Sequence, residues 1–195
     1  MRQYICDIPT MESSGAIVLS ISHAVKRGTE YRVQVLAKHG ITDIRPDGWY
    51  STQSLLNAIK EIGENIGDLN MLAMGRDFVL RHELPPLPNL REGLELLSVM
   101  HLHNNRIGGK LLAELSADQL PSDIGQFHLA EYDEKARRAV AYTTSPFSAK
   151  NLEGCIAGIL ERFRPKDSTQ YSIQEDITKE RHTQGGNSTT YLITW

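Results

Sequence analysis

The hydrophobic period of the chain changes from that of helices to that of strands near Gly108 and Gly109, and this change constrains the fold more than any other feature. Before it, apolar residues recur at helical spacing. Leu55, Ile59, Ile62 and Ile66 follow one another at intervals of four, three and four residues, which places them on one face of a helix. Ser51 is suited to cap that helix and Gly67 to stop it. A second helical run, Tyr31 to His39, closes at Gly40. Pro46, Asp47 and Gly48 then spell a turn, and Leu69 to about Arg81 forms another helix with Leu72, Met74 and Phe78 available for packing. Leu84 to Pro88 carries three prolines and must be a connector.

After the change, the period is that of strands. Phe127 to Tyr132 and Arg138 to Thr144 read as a hairpin turning through Asp133, Glu134 and Lys135. Ser148 caps a helix whose Leu152, Cys155, Ile156, Ile159 and Phe163 form an apolar face that ends near Pro165. Tyr171 to Ile177 and Thr189 to Trp195 make a second strand pair, joined through Gly185, Gly186 and Asn187. A helical half followed by β-β-α-β-β implies an α+β fold: a helical N-terminal half packed on a C-terminal four-stranded antiparallel sheet with a covering helix. With 195 residues and 40% hydrophobic content, one domain is expected, mainly helical over 1–107 and sheet-containing over 108–195.

Charge and cysteine usage exclude several functions. The balance of 21 Lys and Arg against 24 Asp and Glu offers no basic footprint for nucleic acid. Cys6 and Cys155 form no ligand pair, which fits a reducing compartment, and the N-terminus lacks the basic and apolar runs of a signal peptide. No window approaches a membrane span, so a soluble cytoplasmic domain is expected. There is no G-x-S-x-G elbow, P-loop, Rossmann glycine fingerprint or HExxH, so nothing supports enzyme activity.

The most informative helix runs from about Leu90 to His103. Leu90, Leu94, Leu97 and His101 share one face, so His101 is expected to point inward in line with three leucines. His103, two residues on, projects from another side, which makes the pair a poor chelate. An inward histidine can be a core residue bonded to backbone or a metal ligand. His23, His39, His82, His128 and His182 are expected at the surface or at edges. The Gly154-x-x-x-Gly158 spacing suggests a close helix-to-sheet contact, and Cys155 within it a small core residue. Trp49 and Tyr50 follow the turn and are candidates for burial or for a partner-facing aromatic patch.

Three local patterns, together with the element order, resemble the haem nitric oxide/oxygen binding (H-NOX) family and its relatives, including the vinyl-reductase-like domains. The stretch from Val35 through Gly40 and Pro46 to Gly67, Leu72 and Gly75 looks like the family's helix-turn-helix segment. LLSVMHLHNNR looks like its L-x-x-x-H helix, with His101 at the position of the iron-ligating histidine. LEGCIAGILERF, followed by a strand and a closing I-T-W, is similar to its G-x-x-x-G helix and final hairpin. The family's Y-x-S-x-R motif is matched by Tyr142 and Thr144, but Pro146 stands where the arginine would be and offers no donor. The interval from His101 to Tyr142 looks about a dozen residues longer than usual, and an insertion there could line or plug a pocket.

The resemblance implies a non-enzymatic sensor domain with a small-ligand pocket between its halves. If it binds haem b, His101 would ligate the iron, Tyr142 and Thr144 would contact the propionates, and nitric oxide would weaken the His101 bond. The implied partner is a signalling protein such as a histidine kinase or a cyclic dinucleotide enzyme; a homodimer is an open alternative. The missing arginine favours a second reading, a haem-free small-molecule or protein-interaction module of the same fold. A third, an enzyme of tetrapyrrole metabolism, rests on fold analogy alone.

Overall fold

The computed structural model describes residues 2–24, 28–81, 83–122 and 124–195. The expected helices form where the apolar period placed them. Helix α1, which no sequence run had singled out, spans Gly15–His23, with Ser14 as its N-cap. Helix α2 covers Thr29–Lys38 and gives way to Gly40 at φ 82°. Helix α3, Thr52–Ile66, is capped by the Ser51 hydroxyl and ends at Gly67, with Leu55, Ile59 and Ile62 buried. Helix α4 spans Asp68–Arg81 and α5 spans Leu90–His103, the latter capped by Asn89. Val18, Leu36, Leu55 and Ile62 belong to the core that holds the helical half together.

The C-terminal half forms the expected sheet and cover. Strands β5 (Phe127–Asp133), β6 (Arg138–Thr143), β7 (Ser172–Glu175) and β8 (Thr189–Thr194) pair antiparallel in the order β5-β6-β8-β7. Helix α6, Ala149–Phe163, lies over the inner face. Its Ile156, Ile159 and Leu160 pack with Ala139, Ala141, Tyr191 and Ile193 in one core.

Three features depart from the sequence reading. First, a small second sheet is present, made of β1 (Met11–Ser14), β2 (Trp49–Ser51), β3 (Asn105–Ile107) and β4 (Lys110–Leu111) in the order β2-β1-β3-β4. These strands are too short to show a period of two. Gly108 and Gly109, both at positive φ, form the turn between β3 and β4.

Second, Gly154 and Gly158 face a helix, not the sheet. A Cβ on Gly154 would lie 2.0 Å from the Leu72 carbonyl oxygen, and one on Gly158 would lie 2.7 Å from Val79 Cβ. Gly75 answers from α4, where a Cβ would meet the Asn151 carbonyl at 1.8 Å. The three glycines let α4 and α6 cross with their backbones in contact. Third, His182, in the 3₁₀ turn before β8, is buried, not superficial. His103 and His23 are exposed as expected, and His82 lies outside the described residues.

Trp49 is half-buried, with the Arg106 guanidinium 4.5 Å from its ring centre. The Tyr50 hydroxyl accepts from the Arg45 backbone N–H and donates to the Asp43 carbonyl, which ties the turn to β2.

Candidate functional site

The helical half and the sheet half enclose a cavity of about 120 Å³. Ile21 of α1, Ile62 of α3, Met74 of α4, Leu97 and His101 of α5 and Cys155 of α6 border it. Every helix but α2 contributes. Among the described lining residues there is no Lys, Arg, Asp or Glu. Burial pushes the Cys155 thiol up to about 12, so it behaves as a small apolar group.

His101 borders this cavity, as its helical position requires. Its Nε2 lies 3.0 Å from the Ile124 carbonyl oxygen, and its Nδ1 lies 3.4 Å from Asn105 Nδ2. A carbonyl can only accept and an amide nitrogen can only donate, so the proton sits on Nε2 and Nδ1 is the acceptor. Burial pushes the ring's pKa down to about 4, despite the opposing Ile124 bond, so the imidazole is neutral at pH 7. A polar chain continues behind it. Asn105 Nδ2 also donates to the His101 carbonyl at 2.8 Å, Ser13 Oγ donates to Asn105 Oδ1 at 2.8 Å, and Thr52 Oγ1 lies 3.0 Å from Ser13 Oγ. His101 is thereby tied through β3 and β1 to the start of α3.

Ile124 belongs to the long excursion between β3 and β5. Leu112, within a 3₁₀ turn at Leu112–Glu114, and Ile124 are buried against Met11 of β1. This packing sets the Ile124 carbonyl against the imidazole. The inserted segment thus supplies a partner for His101.

Tyr142 and Thr144, the two residues matched to the propionate motif, do not border the cavity. Along β6, Ala139, Ala141 and Thr143 are buried and face inward, so the pleat turns Tyr142 to the outer face. There its ring stacks on His128, with centroids 4.6 Å apart. Thr144 Oγ1 accepts from the Gln126 backbone N–H at 3.0 Å. The cavity receives Thr143 and Ser145 instead. The buried alternation of Ala139 and Ala141 carried this signal, and matching the motif by spacing passed over it. Pro146 at the arginine position offers its carbonyl to the Tyr4 backbone N–H at 2.7 Å.

No family model and no curated protein matches the sequence. Solved structures do. A doubly substituted Tt H-NOX superposes with a TM-score of 0.58 at 12% identity, covering 93% of this chain and 94% of that one. The chain has the H-NOX fold. A triple mutant of the S. oneidensis H-NOX protein in its Fe(II) ligation state gives a TM-score of 0.58 at 16% identity, over 93% of this chain and 95% of that chain. The same protein in the Fe(II)NO state gives 0.56 at 14% identity.

Within this H-NOX fold, the residues present do not fit haem. The nitrogen that an axial histidine would offer to iron is protonated and bonded to the Ile124 carbonyl. Among the described lining residues there is no cationic side chain to meet two carboxylates, and burying unpaired charge is costly. At about 120 Å³ the cavity is also below the ~300 Å³ at which pockets for larger ligands begin.

Proposed function

We propose that this chain is a non-enzymatic sensor module of the H-NOX fold that binds a small ligand other than haem in the cavity between its halves. The observation that carries the reading is the His101 Nε2 bond to the carbonyl of the buried Ile124, which with Asn105 leaves both ring nitrogens partnered. Freeing that nitrogen would strand a carbonyl, at a cost of about 1–3 kcal/mol if no other donor replaced it.

A ligand in the cavity touches α1, α3, α4, α5 and α6 together. Occupancy therefore favours the helix arrangement that fits the ligand best, and a partner that distinguishes the arrangements reads the change. The fold resemblance suggests a signalling partner in the cytoplasm, such as a histidine kinase or a cyclic dinucleotide enzyme. Among the described residues no helix is long and apolar enough to cross a membrane.

Haem sensing is the alternative, favoured by the place of His101 on the cavity wall. Native mass spectrometry of protein expressed with a haem precursor, and again after haemin titration, separates the two. The haem-independent reading expects the apo mass in both samples. A stoichiometric haem adduct on the folded protein would contradict it.

A further inference from the structure

The cavity wall carries a pattern that deepens this reading and rests on it. Of the four phenylalanines in the chain, Phe78, Phe127 and Phe147 border the cavity, and of the five methionines, Met71, Met74 and Met100 do. Aromatic rings and polarizable thioethers are the side chains that pack best around a flat aromatic guest. An apolar cavity of ~150 Å³ suffices for benzene, close to the size found here.

One wall is different. Ser145, Ser148 and Asn151 border the cavity from the loop after β6 and the first turn of α6. Ser148 is engaged, since its Oγ caps α6 by accepting from the Asn151 backbone N–H. Ser145 is 8% exposed, and its Oγ accepts from the Phe147 backbone N–H at 3.5 Å while its own O–H has no acceptor. Asn151 donates Nδ2–H to the Met71 carbonyl at 3.2 Å, and its Oδ1 accepts no bond from the described residues. Among the described residues, one unused donor and one unused acceptor thus border the cavity, whose other polar lining residues are Ser20, His101, Asn104, Asn105 and Thr143. A hydroxyl group, which donates once and accepts, complements both.

We infer that the cavity takes an uncharged, benzene-sized aromatic molecule carrying one hydroxyl, a simple phenol, with its ring among the phenylalanines and methionines and its hydroxyl at Ser145 and Asn151. A charged aromatic acid would find no cationic partner among the described lining residues. Calorimetric titration of the full chain with phenol, toluene and benzoate tests this, with haemin titrated in parallel and followed by its visible spectrum. Phenol should bind more tightly than toluene, and benzoate should not bind. Ser145→Ala should weaken phenol about 2- to 12-fold, the range for one neutral hydrogen bond, and leave toluene unchanged. Equal affinity for toluene and phenol, or no effect of Ser145→Ala, would overturn the polar contact while leaving the haem-independent reading in place. Absence of binding by every aromatic probe would overturn the ligand class. A haemin complex lost in His101→Ala would overturn the reading beneath it.

Discussion

At the scale of single residues, His101 decides how the cavity behaves. Its helical phase was legible because three leucines at intervals of four and three share its face. Its partner was not, because Ile124 is 23 residues away and reaches it only through the packing of Leu112 and Ile124 on Met11. The desolvated ring has a measurable consequence. Its folded pKa, about 4, lies below the unfolded value near 6.5, so the unfolded chain takes up the proton first as pH falls. The stability this represents is present above pH 6.5 and is lost progressively down to about pH 4. Denaturant unfolding should therefore show a loss of about 1.5 kcal/mol from this group between pH 6.5 and 5, a range above the ordinary carboxylate titrations. In His101→Gln that part of the slope should vanish; an unchanged slope would mean that the ring is not held neutral. Tyr142 and Thr144 teach the opposite lesson, since a motif matched by spacing gave way to the strand pleat that places Thr143 inside.

At the scale of elements, the central joint is the crossing of α4 and α6. Each of the long helices was legible from its period and its caps, and Ser51, Asn89 and Ser148 cap α3, α5 and α6 in the structure. The glycine spacing in α6 signalled a close approach, but which element approaches was hidden, since a small residue specifies proximity and not a partner. The short strands β1 to β4 were hidden for another reason: two to four residues cannot display alternation. Gly154→Ala would press a methyl group into the Leu72 carbonyl, forcing α6 away from α4. Overpacking of this kind costs about 1–3 kcal/mol, against a gain in helix propensity of about 1 kcal/mol. Thermal unfolding should show net destabilisation; a stabilised Gly154→Ala would show that the helices part without cost. Because Asn151 and Cys155 lie on the same helix, the substitution should also alter aromatic binding in the cavity.

At the scale of the molecule, the order of a helical half and a β-β-α-β-β half carried the fold, and the match to H-NOX structures at 12–16% identity shows how little of the sequence that fold demands. What the fold does not carry is the content of the cavity. The extra length between β3 and β5 brings a carbonyl to the histidine, and with proline at the arginine position the described lining residues include no cation. Both features are visible in the sequence as departures, but their joint effect depends on where the inserted segment packs. The visible absorption spectrum of protein purified after expression with a haem precursor, recorded for the wild type and for His101→Ala, tests the central claim most directly. The account predicts no Soret band in either protein; a band in the wild type that disappears in His101→Ala would contradict it.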